Sequence, residues 1–450
     1  MSKKAWIYTL LVGQIFLWTG SAFISVLYKL LNYYEPAAVT LYTEVLYYIL
    51  QAAGIALFAI ILKIKPSLAG KRSFVIFAIV LTVLFTAAAL LFDIGWLVMS
   101  SGLLMNLGIG MLSGAYLTRL STHIPQQSRG RAFGYSYAIG SIGTWLLSLP
   151  DSGILLQGGL AIYVFVGMAA ISVALVRWLE PITDDNGQWQ TEIVRLDKKL
   201  ILVVLSIPLV CSIVNGLGCY FSAADVSTVL NSAFTRIFYA VGLVVAGIVN
   251  DRNRRYGAIC CITALIFPFV SLALHNEVGI SAFLSVFSYI FYGFFSVYRV
   301  VLFADLAGKR SSYLFLAVFG LLSGRLGDAI GTLGGIMTSG NQLLLTCASA
   351  GVFIVCAILF FNLYHELYMP RLSEKENTEA LLSEYEARYE LVARQSEIFR
   401  LVVKGCSNAE ISSELFLSGN TVKYHMKNIL RKTGCSNRTE LIATFKKSTK

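Results

Sequence analysis

The sequence predicts an all-α protein in two parts, a polytopic membrane helix bundle followed by a small four-helix polar unit. Three observations carry this. The chain of 450 residues is 56% hydrophobic and only 14% charged, with a mean hydropathy of +0.70, far from the composition of ordinary soluble enzymes. Apolar stretches of about 20 residues, the length that crosses a hydrocarbon core, recur from the start of the chain to about residue 365. The last sixty residues then turn polar and basic, with eleven Lys and Arg against four Glu in 391–450.

Twelve candidate spans begin near residues 5, 38, 73, 95, 132, 153, 199, 228, 257, 278, 312 and 342. The first follows MSKK without the small-residue cleavage site of a signal peptide, so it reads as an uncleaved span. GLLMNLGIGMLSGAY and GLLSGRLGDAIGTLGG place small residues at close-approach spacing, which suits helix packing in lipid. With the N-terminus inside, one set of loops receives Lys3, Lys4, Lys63, Lys65, Lys71, Arg72, Arg119, Arg129, Arg131, Arg177, Arg195, Lys198, Lys199, Arg252, Arg254, Arg255, Lys309 and Arg310, whereas NYYEP, LPDSG, CYFSAADVS, HNE and SGNQ hold no Lys or Arg. The positive-inside rule then puts both termini in the cytoplasm, since an even number of spans returns the chain to its starting side. The eight cysteines show neither metal spacing nor a disulfide framework, and read as apolar fillers with a reduced pair in the tail.

The longest loop, RWLEPITDDNGQWQTEIVRLDKK, divides the spans six and six. Two basic turns leading into Gly-punctuated helices, RLSTHIPQQSRGRAFGYSYAIGSIG and ADLAGKRSSYLFLAVFGLLSGRLGDAIG, form a weak internal repeat. After the eighth span stands GIVNDRNRRYG, which resembles the G-x-x-x-D-R-x-x-R-R loop of the major facilitator superfamily at Gly247, Asp251, Arg252, Arg254 and Arg255. The resemblance covers roughly residues 1–365 and implies a twelve-span fold of two six-helix bundles, with this loop at the gate between them. The first-half counterpart, KIKPSLAGKR, lacks the Asp-Arg core, which weakens the case for transport. A plain topology-setting basic turn accounts for the same residues equally well.

Charge at membrane depth points to function by default. The candidates are Glu44, Arg236, Arg299, Arg325 and Asp328. Arg325 and Asp328 are three apart, share a helix face and can neutralise each other; Arg299 and Glu44 lie nearer span ends and can snorkel. Arg236, mid-span without a local acid, is the leading ligand contact. A cavity lined by Arg236 and Arg325, with Tyr298 or Asn231, would take an anionic or aromatic small molecule, because guanidinium binds carboxylate bidentately and stacks on rings. The competing reading is a set of salt bridges internal to the bundle.

In the tail, residues 371–390 favour helix and read as a connector, a short dimer seam or a solvated spacer. Ser396 to Lys404, Asn408 to Phe416 and Ser418 to Thr433 read as three short helices, with Ser407 and Ser418 as N-caps and Gly405 and Gly434 as stops, and a fourth follows from Asn437. In the third, Val422, Met426, Ile429 and Thr433 share one side of the helical wheel, while Asn420, Lys423, Tyr424, Lys427 and Arg431 share the other. One face packs and the other is cationic and hydrogen-bonding, as a helix that enters a major groove requires. A basic tail lying on anionic lipid would explain the charge but not the capped turns.

From about Leu391 to Ile442 the chain resembles the LuxR-type helix-turn-helix family at Arg394, Glu397, Gly405, Ser407, Asn408, Glu410, Ile411, Leu415, Leu417, Ser418, Thr421, Val422, Lys423, His425, Asn428, Ile429, Lys432, Gly434, Arg438 and Glu440. It departs from the pattern at Gln395, Ala409, Ser412 and Thr433. The resemblance implies a bacterial regulator in the cytoplasmic membrane. It implies contacts to double-stranded promoter DNA from Ser418, Asn420, Thr421, Lys423, Tyr424, Lys427 and Arg431, and dimerisation through the fourth helix. His425 reads as a half-buried packing residue. The domains expected are 1–368, a linker 369–390, and 391–450. No nucleophile, acid-base dyad, metal cluster or nucleotide loop stands out, so neither an enzyme nor a cofactor is expected. The function expected is a one-component transcriptional regulator that senses a small molecule through its membrane part; the alternative is a transporter with a regulatory tail.

Overall fold

The computed structural model describes residues 1–148, 158–179, 182, 212–213, 232–261, 278–307, 311–338, 341–368, 374–403 and 405–448. These form two compact units, Met1–Leu367 and Tyr368–Lys450, and the described residues contain no strand.

The first unit is a membrane helix bundle. Its helices are α1 (Lys3–Leu30), α2 (Pro36–Ile64), α3 (Arg72–Leu91), α4 (Gly95–His123), α5 (Arg129–Leu147), α6 (Gly158–Val176), α7 (Ser232–Arg252), α8 (Val278–Ala307), α9 (Phe319–Thr338) and α10 (Gln342–Tyr368). Among the described residues, six helices are long and apolar enough to cross a membrane, and Ala161–Val176 and Ala350–Asn362 add shorter apolar stretches. Ten of the twelve expected spans coincide with α1 to α10. The span near 199 and most of the central loop lie outside the described residues, and the span near 257 is described to residue 261.

Glycines set how closely these helices approach. A Cβ on Gly54 of α2 would clash with the Leu107 carbonyl of α4, and one on Gly110 with the Gln51 carbonyl. The same device recurs between α7 and α8, where a Cβ on Gly242 would strike the Ile290 carbonyl and one on Gly293 the Gly242 backbone. These are the second and fourth spans of each half, so backbone-to-backbone crossing by Gly is repeated at corresponding places. Between halves, Gly134 of α5 packs on the Leu243 carbonyl of α7, and Gly130 on Gly247.

Charge is concentrated at one end of the bundle. The Asp251 carboxylate accepts from the Gly130 and Arg131 backbone N–H groups at 2.7 and 3.0 Å and from Arg131 Nε at 2.8 Å. It therefore caps the N-terminus of α5, where unpaired N–H groups and the helix dipole favour an anion. Asp305 at the end of α8 accepts from Arg129 Nη1 and Arg254 Nε, each at 2.8 Å. The Gly247–Arg255 motif thus ties the two halves together through three helices. At the other end Lys29 pairs with Asp93 at 2.9 Å. Arg119, expected in a cytoplasmic loop, is instead buried within α4, where it donates to the Gly70 carbonyl at 2.9 Å.

The second unit contains α11 (Glu374–Arg388), α12 (Ala393–Val403), α13 (Asn408–Glu414), α14 (Gly419–Thr433) and α15 (Arg438–Ser448). Its core is its own: Ile398, Phe399, Val402, Ile411, Val422, Met426, Ile429, Leu441 and Phe445 are buried together with Leu382 and Tyr385 of α11. The Tyr385 ring stacks on Phe399 at 5.0 Å and meets Phe445 edge-on at 5.5 Å. Arg400 grips Glu386 with two nitrogens, at 2.6 and 3.0 Å. The second half of the stretch read as a connector therefore packs as a component of this unit.

Candidate nucleic-acid interface and the cavity of the membrane unit

In the tail, α13 and α14 form a capped pair. Glu410 N–H donates to Ser407 Oγ at 3.3 Å and Ser407 N–H to Glu410 Oε2 at 2.6 Å, a complete capping box. The bonds from Ser407 hold the Glu410 carboxyl below the usual carboxylate range, and Ser436 does the same for Glu440. At α14, Thr421 N–H donates to Ser418 Oγ at 3.1 Å, and the helix ends at Gly434 in the left-handed region, φ +72°. Gly405 also has positive φ, +93°, as a stop after α12 requires.

Helix α14 is two-faced as its spacing demands. Val422 and Ile429 are completely buried, with Met426 and Thr433 nearly so, whereas Ser418, Asn420, Lys423, Tyr424, Lys427 and Arg431 are exposed and Thr421 is half-buried. His425 is half-buried with its ring 5.5 Å from Tyr424. Departures from the family pattern are accommodated locally. Gln395 Oε1 accepts from Val392 N–H at 3.2 Å, which starts α12 earlier than its apolar periodicity indicates. Thr433 satisfies its buried hydroxyl within the helix by donating to the Ile429 carbonyl at 2.9 Å. Ser412 donates to the Leu417 carbonyl and so fixes the turn between α13 and α14. Arg438 braces the start of α13 through Asn408 Oδ1 and the Cys406 carbonyl.

The membrane unit contains a partly open cavity of about 580 Å³, a size suited to a small organic molecule. Two of the predicted charges line it. Arg325 of α9 lies over the Tyr48 ring at 4.7 Å, and Glu44 sits in a π-helical turn, Leu41–Leu46, of α2. Such turns recur at functional sites because the extra residue rotates side chains out of the regular register. The other charges fall differently. Asp328 is buried and forms an ion pair with Arg325 at 3.9 Å, as their three-residue spacing anticipates, though at that distance without a hydrogen bond between them.

Arg299, expected to reach a membrane surface, is 2% exposed and does not snorkel. It stands eight residues before the end of α8, donates to Ser212 Oγ at 2.9 Å and lies over Phe295 at 4.8 Å. Tyr298 packs on Phe360 rather than lining the cavity. Asn231 and the Arg236 side chain lie outside the described residues.

The sequence reading missed the aromatic wall. Phe16 stacks on Tyr137 at 4.5 Å, Tyr137 meets Tyr239 edge-on at 5.6 Å, and Tyr239 stacks on Tyr292 at 5.3 Å. Tyr239 also donates to Ser296 at 3.0 Å. These rings come from α1, α5, α7 and α8 and line the cavity with Tyr48 and Tyr116. No signal within any one span selects them from the 23 Tyr and 28 Phe of the chain.

A capped helix bracing an amphipathic helix with a cationic outer face defines the helix-turn-helix class of DNA-binding units. Residues 390–445 match the bacterial regulatory proteins of the luxR family, and the chain belongs to that family. It is 36% identical over 59 residues to the spore germination protein GerE of Bacillus subtilis, covering 13% of this chain and 80% of that protein. It is 42% identical over 53 residues to the probable transcriptional regulatory protein SgaR of Hyphomicrobium methylovorum, covering 12% of this chain and 25% of SgaR. It is 45% identical over 53 residues to the monoamine regulon transcriptional regulator of Klebsiella aerogenes, covering 12% and 23%. The chain thus spans about a quarter of the last two.

Among solved structures, the fold resembles the major facilitator superfamily proton:xylose symporter XylE, with a TM-score of 0.60 and 15% identity, covering 82% of this chain and 97% of XylE. It also resembles the Escherichia coli fucose:proton symporter FucP, with a TM-score of 0.54 and 15% identity, covering 78% and 98%. At this identity the likeness is one of fold. The protein is a helical membrane protein of major facilitator fold carrying a LuxR-type helix-turn-helix.

Proposed function

We propose that this protein is a membrane-anchored one-component transcriptional regulator. The exposed cationic face of α14 carries the reading: Lys423, Lys427 and Arg431 engage phosphates and base edges, with Ser418, Asn420, Thr421 and Tyr424 beside them, on double-stranded promoter DNA. The protein sits in the bacterial cytoplasmic membrane with both termini inside, contacts lipid through its spans and binds DNA as a homodimer through α15. It acts by binding rather than as an enzyme. An anionic or aromatic small molecule enters the cavity, meets Arg325 and Glu44 and stacks on the tyrosine wall, and so shifts the balance between two arrangements of the bundle. Arg299 and Asp328 support that site from behind, and Arg236 is retained as a further contact.

The test is genome-wide DNA occupancy of the intact protein beside a Lys423→Ala/Lys427→Ala variant. Discrete peaks that vanish in the variant are expected, and the absence of peaks with or without inducers refutes the reading. In vitro, losing the two lysines should flatten the dependence of log affinity on log salt by about 2. The cavity and the fold of XylE and FucP favour a second reading, a transporter with a regulatory tail. That reading requires substrate flux in vesicles that depends on Arg325 and survives deletion of residues 371–450.

A further inference from the structure

Phe416 occupies a position for which the fold has no use. Its side chain is 95% exposed, so it contributes nothing to the core. Its backbone φ is +54°, in the left-handed region that bulky residues avoid and Gly or Asn accepts more readily. The turn that carries it is well held: Leu415 N–H donates to the Ile411 carbonyl at 2.9 Å, Leu417 N–H to the Ser412 carbonyl at 3.0 Å, and the Ser412 hydroxyl to the Leu417 carbonyl. Leu415 and Leu417 both pack against the core, which leaves the ring between them turned outward. Phe416 also stands two residues before Ser418, the N-cap of α14, within about 7.6 Å by Cα spacing.

We propose that Phe416 is a DNA contact, whose ring lies against an apolar edge of the duplex where the start of α14 docks and sets how that helix enters the groove. The apolar edge is a deoxyribose or a thymine methyl group; Phe against the thymine methyl is a known form of base readout. This rests on the DNA-binding reading above. DNA is the partner because the exposed neighbours along α14 are Lys423, Lys427, Arg431 and Asn420, a surface complementary to a polyanion. The strain at Phe416 is then retained for function at the expense of stability.

The test uses the full-length protein in lipid nanodiscs and a short duplex that it enriches from a random-sequence pool, with Phe416→Asn, Phe416→Ala and Lys423→Ala variants. Both Phe416 variants are expected to weaken binding roughly tenfold, by the same factor at low and high salt, whereas Lys423→Ala lowers the salt slope by about 1. Phe416→Asn should at the same time raise the melting temperature of residues 368–450, because the strain is relieved. Replacing thymine by uracil in the duplex reproduces the Phe416 loss if the methyl is the contact, and leaves it intact if the sugar is. Unchanged affinity of both Phe416 variants, with Lys423→Ala still weakened, overturns the assignment. A changed oligomeric mass with unchanged affinity also overturns it and gives the ring to a contact between copies. If the wild type enriches no duplex, the DNA-binding reading itself has failed.

Discussion

Tyr385→Ala should severely destabilise the DNA-binding unit, although residue 385 lies ahead of the matched family region, 390–445. The ring is 6% exposed, stacked on Phe399 and edge-on to Phe445, so truncation opens a cavity between α11, α12 and α15. Aromatic-to-alanine changes in a core cost about 3 kcal/mol or more, and loss of the two ring contacts is part of that cost. For a unit of this size each kcal/mol moves the melting temperature by about 4–8 °C, so a fall of roughly 12–24 °C is expected. The assay is thermal unfolding of residues 368–450 followed by circular dichroism. Tyr385→Phe is the control: the hydroxyl is buried without a hydrogen-bond partner among the described residues, and its removal should be neutral or slightly stabilising. A melting temperature for Tyr385→Ala within about 3 °C of the parent, well below the shift expected for a core residue, would refute the reasoning. So would a 391–450 fragment as stable as 368–450.

Asp251→Ala removes the acceptor of three hydrogen bonds at the start of α5 and leaves two backbone N–H groups unsatisfied, a loss of about 1–3 kcal/mol; the melting midpoint of the detergent-solubilised protein should fall, and an unchanged midpoint would count against the cap. Glu410 and Glu440 titrate below their ordinary range because they accept backbone N–H bonds from Ser407 and Ser436. Their stabilising contribution is therefore present above the unfolded carboxylate pKa and is lost as pH falls through the lowered folded values. Denaturant unfolding of residues 368–450 should show stability declining across the carboxylate range, with a smaller decline in Glu410→Gln; equal declines would remove the capping box as a cause.

Much of the architecture was legible because it depends on local or bulk properties. Span positions follow from hydrophobic length. The caps at Ser407, Ser418, Gly405 and Gly434 follow from backbone groups that must be satisfied within one turn. The two faces of α14 follow from a 3.6-residue period, and the structure buries Val422, Met426 and Ile429 while exposing Lys423, Tyr424 and Lys427 as that period requires. Thr433 was not legible in the same way: a polar residue at a core position is tolerated only because its hydroxyl bonds to the Ile429 carbonyl one turn back.

The sequence by itself determined that the chain is helical, membrane-embedded and ends in a DNA-reading unit, because each of these is set by composition, periodicity or residues adjacent in the chain. Only the tertiary structure decided which polar and aromatic side chains meet. Glu44 and Arg325, 281 positions apart in the numbering, come to one cavity, and rings from four helices stack into one wall. Arg299 turns inward to Ser212 instead of outward to lipid headgroups. Tyr385, on the apolar stripe of a segment that reads equally as connector, dimer seam or spacer, joins the core of its own unit. In each case the deciding quantity is the rotation and separation of helices distant in the chain, set by packing such as the Gly54–Gly110 and Gly242–Gly293 crossings, and that geometry is absent from any local window of residues.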